Sequence, residues 1–256
     1  MDIVSEEYEY IENEYSVTEI LNGIREIKLT RKYYNVLTKD VSDMVARIFG
    51  TAMHYLLEIK DKHNITEYKL KAEVKNGLYL KGRFDAYNKN DYTLIDYKTC
   101  KAYKVIKGDF SDWRKQGLMY AWLCKKNGLY VDKVRFIAMI KDYSINTKLE
   151  SGIYVYEFKV NALDLQDIER YIYEKFELLE SDYNEPCNEE ERWARPTKWA
   201  CMKNNRKRAV KLFDTKAEAE EFSCDYIEER VGEDIKCDNY CDVKYYCDYW
   251  KGKNEV

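Results

Sequence analysis

The chain has 256 residues, with 43 lysines and arginines against 47 aspartates and glutamates, and a net charge of −4. That length can bury a real hydrophobic core. The near-balanced charge excludes a surface that is basic all over, while leaving room for a local basic patch. No run approaches about eighteen consecutive apolar residues, so no transmembrane helix is expected.

The acidic opening, residues 1–15, has neither the basic start nor the apolar run of a signal peptide. The expectation is an intracellular, cytoplasmic protein. Its eight cysteines then point to free thiols or metal ligands rather than a disulfide framework. "SVTE" at 16–19 is a capping box from Ser16 to Glu19, opening a short helix through about Leu29. A stronger helix follows over 40–63, where Val45, Ile48, Phe49, Ala52, Leu56 and Ile59 recur at helical spacing. Residues 67–99 hold at least three strands, with turns at "KNG" and "NKND". A helix fits "SDWRKQGLMYAWLCKKNG" and is closed by Gly128. Two more strands, "KVRFIAMIKDY" and "GIYVYEFKV", precede an amphipathic helix over 162–181.

After Glu185 the texture changes. "EPCNEEERWARP" reads as a charged linker carrying both prolines. Residues 197–230 read as strand, Asn-Asn turn, strand and a helix capped by Thr215. A cysteine-dense tail follows. The expected organisation is a core over 1–185, a β-hairpin plus helix appendage over 186–233, and a tail over 234–256 packing back on the core. The turn "KNNRKRAVK" gathers Lys203, Arg206, Lys207, Arg208 and Lys211; it suits either a grip on a nucleic-acid backbone or an ordinary solvated turn. Trp193 and Trp199 nearby suit base stacking or, better, core packing.

The chemistry concentrates in "LKGRFDAYNKNDYTLIDYKTCKAY", residues 80–103. Side chains alternate along a strand, so Asp96 and Lys98 share a face, about 6–7 Å apart. With the turn centred on Asn90–Asp91, Asp85 stands opposite Asp96, their Cβ atoms roughly 5 Å apart. Two carboxylates so close repel unless a cation lies between them, and hard oxygen donors suit Mg²⁺ or Mn²⁺. A lysine beside them can orient water or stabilise charge on phosphate. A solvated hairpin face is the bland alternative for Asp-x-Lys alone. Three further features fit the same site: His54 in "GTAMH", Gln116 and Tyr120 at i and i+4 in "QGLMY", and the order in which these motifs follow one another. Glu58 and Glu73 are weaker candidates, Glu73 more as a strand surface residue.

That order resembles the RecB-like branch of the PD-(D/E)XK nuclease superfamily over roughly residues 16–180. "GTAMH" is similar to its helical histidine motif, "GRFDA" to its Gly-x-x-Asp strand, "IDYKT" to its Asp-x-Lys strand and "QGLMY" to its Gln-x3-Tyr helix. The resemblance implies an α/β fold, a restriction-endonuclease-like core with a mixed sheet flanked by helices. It implies that His54, Asp85 and Asp96 ligate metal, with the Tyr97 carbonyl an additional ligand. Lys98 would orient the attacking water, and Gln116 and Tyr120 would position DNA.

Cys237, Cys241 and Cys247 are spaced C-x3-C-x5-C. Some RecB-like nucleases, among them the CRISPR-associated adaptation nucleases and AddB-type subunits, carry an iron–sulfur cluster on similar C-terminal cysteines. Their fourth ligand precedes the histidine helix, where this chain has no cysteine; Cys187, Cys201 or Cys224 is left to supply it, for [4Fe–4S] or tetrahedral Zn²⁺. Cys100 and Cys124 read as ordinary buried thiols.

The expected function is metal-dependent DNA cleavage, as an exonuclease or end-processing enzyme of a phage or mobile-element recombination or replication system. The rival reading is a non-catalytic DNA-binding or regulatory subunit that keeps the nuclease fold. The chain has no helicase phosphate-binding glycine loop, so a helicase or recombination partner would be another chain.

Overall fold

The structure is a computed structural model that describes residues 11–37, 45–60 and 64–254; at 46, 47, 54 and 56–60 it describes the backbone alone. The chain divides into two compact units: residues 1–22 with 38–183, and residues 23–37 with 184–256.

The first unit opens with strand β1 (Glu14–Ser16) and helix α1 (Val17–Ile20). Ser16 accepts from the Glu19 backbone while Glu19 reaches back to the Ser16 N–H, the capping box expected from sequence. The helix ends there, not at Leu29. Gly23 takes an extended conformation and starts helix α2 (Ile24–Lys32), which belongs to the second unit. Helix α3 (Val45–Lys60) leads into β2 (Ile65–Lys75), β3 (Leu78–Asn88) and β4 (Thr93–Cys100). The β2–β3 turn falls on Asn76 and Gly77, both at positive φ, as "KNG" demands. Helices α4 (Ala102–Lys107) and α5 (Ser111–Lys126), strands β5 (Lys133–Ile140) and β6 (Ile153–Lys159), and helix α6 (Ala162–Glu180) complete the unit.

The sheet is mixed, in the order β1-β3-β4-β5-β6, with β2 also on β3. β1 runs parallel to β3 and β4 parallel to β5; the other pairs are antiparallel. Helix α5 is buried through its middle, from Trp113 to Cys124. It can lie close to the sheet because of Gly117: a Cβ there would stand 2.8 Å from Val134 Cγ1. Fully buried Trp122, Phe84, Phe136 and Phe176 each contribute about 1.5–3 kcal/mol by leaving water. Helix α3 approaches the other sheet face, where Gly50 lies by Thr99 of β4. This is the expected α/β architecture of a mixed sheet flanked by helices.

The second unit holds α2, then α7 (Glu189–Arg192) and β7 (Ala194–Arg195), where the sequence suggested only a charged linker. Asn188 closes a capping box with Glu191, so even a four-residue acidic stretch is helical. Strands β8 (Lys198–Met202) and β9 (Lys211–Phe213) and helix α8 (Lys216–Glu220) follow as expected, with Thr215 the N-cap. Strand β10 (Tyr226–Arg230) adds to β8 on the side away from β9. β11 (Glu233–Asp234) pairs with β7, and helices α9 (Ile235–Asn239) and α10 (Asp248–Asn254) close the unit. Within this unit the tail meets α2: Lys236 pairs with Glu26 at 2.6 Å, and the rings of Tyr33 and Tyr246 stack with centroids 4.0 Å apart.

Cys201 and Cys224 are joined by a disulfide, Cα atoms 5.6 Å apart. This corrects two expectations. Cysteine pairing was not anticipated, and neither residue is free to act as a fourth metal ligand. The pairing arises because β8 and the segment before β10 meet only in the folded unit.

Candidate metal and nucleic-acid site

Strand β3 is the element that opens the site. Along one edge its residues Tyr79–Lys81 pair with β1 and Ala86–Asn88 pair with β4. Between them, residues 82–85 have no ladder partner on that edge among the described residues. On the other edge, β2 pairs at Phe84 and at Ala86 and skips Asp85. The residue opposite, Glu67, has φ 50°, a left-handed conformation costly for a non-glycine. Asp85 thus stands beside an irregular point of β2, of the kind that re-aims a side chain.

The β3–β4 register pairs Ala86 with Ile95 and Asn88 with Thr93, which centres the turn on Asn90–Asp91 and carries Asp85 toward Asp96 as expected. The Asp85 carboxylate accepts the Tyr97 backbone N–H at 2.6 Å. Asp96 is buried, and its Oδ1 lies 2.7 Å from Lys98 Nζ. The ammonium also stands 5.7 Å from the centre of the Phe136 ring. Asp96 and Lys98 share one face of β4, which follows from the two-residue period.

Helix α5 faces this region. Gln116 and Tyr120 are both buried, which rules out an ordinary surface pair. A Cβ at Gly82 would stand 2.6 Å from Tyr120 Cε1, so glycine there makes room for the ring. Burial, and then the charges of Asp96 and Asp85, push the Tyr120 phenol far up and keep it protonated; a hydrogen bond with Gln116 opposes this only in part. Tyr120 is thus a neutral hydroxyl within the electrostatic reach of both carboxylates.

Helix α3 contacts β3 and β4, the two acid-bearing strands. His54 lies on it, but its side chain is outside the described residues, as is that of Glu58. Glu73 accepts the Gly77 N–H at 3.0 Å and so serves the β2–β3 turn. Among the described residues no three histidines, cysteines or acids stand in ligating position together. Asp85 and Asp96 nevertheless supply hard oxygen donors of the kind Mg²⁺ or Mn²⁺ prefers, beside the half-buried Lys98 ammonium.

The second unit carries a separate cluster. Cys187, Cys237, Cys241 and Cys247 line one cavity of about 30 Å³, room for one or two water-sized bodies, together with Arg25, Glu26 and Lys236. Burial, then the neighbouring Cys241, Asp234, Cys187 and Cys247, pushes the Cys237 thiol up to about 12; burial pushes Cys241 to about 11 and also raises Cys187. The four thiols share the lining of this cavity without standing in ligating position together. A Cβ at Gly23 would collide with the Cys187 sulfur, so the glycine before α2 admits this cysteine. Cys124 is an ordinary buried thiol, pushed up to about 12 by burial, and Cys100 is half-buried. Sequence reasoning missed the part of α2 in this cavity. The glycine interrupting the first helical run was the available signal.

No family model matches the chain, and no curated protein matches it. Solved structures do. The protein of the crystal structure of SSO0001 is 22% identical, with 69% of this chain and 81% of that chain covered and a TM-score of 0.51. An alkaline exonuclease from Laribacter hongkongensis is 12% identical, covering 66% of this chain and 88% of its own, TM-score 0.45. A phage-related exonuclease from Haemophilus somnus is 10% identical, covering 61% and 80%, TM-score 0.38. The likeness to the first of these is one of fold.

Proposed function

We propose that the chain is a metal-dependent DNA nuclease. The observation that carries this is the Asp85 carboxylate, held by the Tyr97 N–H, beside the buried Asp96 and its partner Lys98. A hairpin that only had to be stable would not bury the carboxylate of Asp96, whose desolvation cost is large.

In this reading Asp85, Asp96 and His54 hold Mg²⁺ or Mn²⁺, with the Tyr97 carbonyl as an additional ligand. When bound, the metal supplies Lewis-acid stabilisation of charge on the scissile phosphate. Lys98 holds its ammonium beside Asp96, where it orients water and offsets developing negative charge. Gln116 and the protonated Tyr120 donate hydrogen bonds that position the phosphate backbone. The Tyr97 N–H holds the Asp85 carboxylate in place. Cys187, Cys237, Cys241 and Cys247 would be the residues to hold a structural [4Fe–4S] cluster or zinc ion in the second unit. We extend the reading to exonucleolytic attack at DNA ends, in phage or mobile-element recombination or replication.

The test is degradation of end-labelled single- and double-stranded DNA with Mg²⁺, Mn²⁺ or EDTA, comparing the wild type with Lys98→Ala. Metal-dependent cleavage lost by a factor of about a hundred or more in the variant is expected. Folded, metal-supplied protein that cleaves no DNA would overturn the reading.

A further inference from the structure

The turn between β8 and β9 is the most cationic stretch of the second unit. Residues 203–211 contain Lys203, Arg206, Lys207, Arg208 and Lys211 and no acid, in a chain whose net charge is −4. Every residue from Lys203 to Arg208 is exposed. Among the described residues, none of these five cations makes an ion pair. Lys211 instead lies over the rings of Phe213 and Phe222, at 4.7 and 5.5 Å from their centres.

The turn is also built. Asn205 takes a left-handed conformation with φ 70°, and Arg206 donates its N–H to the Lys203 carbonyl at 3.1 Å. Asp225 accepts the Asn204 N–H at 2.7 Å and donates its own N–H to the Met202 carbonyl at 3.0 Å. Its carboxylate is therefore occupied in holding the turn's backbone. Val210 closes the far side by donating to the Cys201 carbonyl at 2.8 Å. The Cys201–Cys224 disulfide ties β8 to the segment that carries Asp225. The acids of α8, Glu218 and Glu220, are used in the Thr215 cap and in a pair with Lys216. Tyr226, exposed and paired with Met202 on the adjacent strand, adds an aromatic face at the same end of the sheet.

A like-charged cluster without acid partners repels itself in the free protein. Holding it in a fixed turn makes sense where a polyanion neutralises it. Two of the five exposed cations are arginines, which grip phosphate oxygens in a fork that lysine lacks. We infer that the β8–β9 turn is a sequence-independent contact for the phosphate backbone of nucleic acid, supplied by the second unit and separate from the catalytic residues. The inference deepens the nuclease reading, and the partner it names is the same DNA. It stands or falls on binding alone.

The experiment measures anisotropy of labelled duplex DNA bound to the full chain in EDTA, over about 50 to 200 mM KCl. The variant is Arg206→Gln, Lys207→Gln and Arg208→Gln together. The control, Lys89→Gln, Lys125→Gln and Lys148→Gln, removes the same charge from exposed positions of the first unit. Each phosphate contact contributes about 0.9 to the salt slope. The turn variant is expected to lose about two to three from that slope and on the order of tenfold or more in low-salt affinity, and the control less than one. An unchanged slope in the turn variant, or an equal loss in the control, would overturn the inference. So would tighter, turn-dependent binding to anionic lipid vesicles than to DNA. Asp96→Asn should leave the slope intact. Wild type that binds with the full slope yet cleaves nothing would sink the nuclease reading and leave this one standing.

Discussion

The backbone N–H of Tyr97 donates to the carboxylate of Asp85 at 2.6 Å, across the point where their strands stop pairing. A buried strand N–H needs an acceptor, and here a side chain takes the place of the main-chain ladder. The same bond holds one candidate metal-binding carboxylate in a fixed direction. Stability and chemistry are thus joined at Asp85, and substitutions can separate them.

Asp85→Ala removes the acceptor and leaves the Tyr97 N–H unsatisfied, which costs about 1–3 kcal/mol. Asp85→Asn keeps an acceptor oxygen and should unfold close to wild type. Both should lose metal-dependent cleavage. Urea midpoints measured beside a cleavage assay check this, and equal destabilisation by the two variants would contradict it.

Gly82→Ala should displace Tyr120, because the new Cβ would stand 2.6 Å from the ring and 3.1 Å from Leu123 Cδ1. Overpacking of this kind costs about 1–3 kcal/mol. Tyr120→Phe keeps the ring and the packing but removes the hydroxyl. It should lower turnover while leaving the melting temperature within about 2 °C of wild type. A Tyr120→Phe enzyme of undiminished activity would remove the hydroxyl from the site.

Cys187→Ser should lower the bound metal of the purified protein as much as Cys237→Ser does, read by elemental analysis and by visible absorbance. Cys124→Ala should leave it unchanged. Colour in the blue region with iron present identifies a cluster, and colourless protein with zinc identifies a single ion. Cys187→Ser protein that retains its full metal content would exclude this cysteine from the ligand set.

Asp109 lies just before α5, where its carboxylate accepts from Ser111, the first residue of the helix. The Ser111 hydroxyl and N–H, with Lys107 behind them, hold its carboxyl down at about 2, below the ordinary 3.8. A folded-state value below the unfolded one gives stability that is fully present above about pH 4 and lost as the pH falls through about 2. Asp109 is half-exposed, so the effect is small. Melting curves between pH 6 and pH 2 should fall less steeply for Asp109→Asn, and parallel curves would show that these hydrogen bonds contribute nothing.

Much of the first unit, and one cap of the second, can be read in the chain. The Ser16 and Thr215 caps, the "KNG" turn and the pairing that brings Asp85 toward Asp96 all appear where the local pattern puts them. Helix α2 and the stretch 186–197 were misread. Gly23 starts a new helix where a side chain would collide with Cys187, and the acidic run at 189–192 is helical because Asn188 and Glu191 cap each other. In the first case the deciding neighbour is remote in sequence. In the second the local cap outweighs what composition suggests.

By itself the sequence determined what repeats over short distances: Asp96 and Lys98 on one strand face, Gln116 and Tyr120 one helical turn apart, and three cysteines near one another in the tail. These follow from strand and helix periods, which are properties of the backbone. Only the tertiary structure decided that the Asp85 carboxylate takes the Tyr97 N–H, that Gly82 seats Tyr120, that Cys187 joins the tail cysteines in one cavity and that Cys201 pairs with Cys224. Each of these depends on segments far apart in the chain being brought together by burial of the core, and no local pattern records which segments will meet.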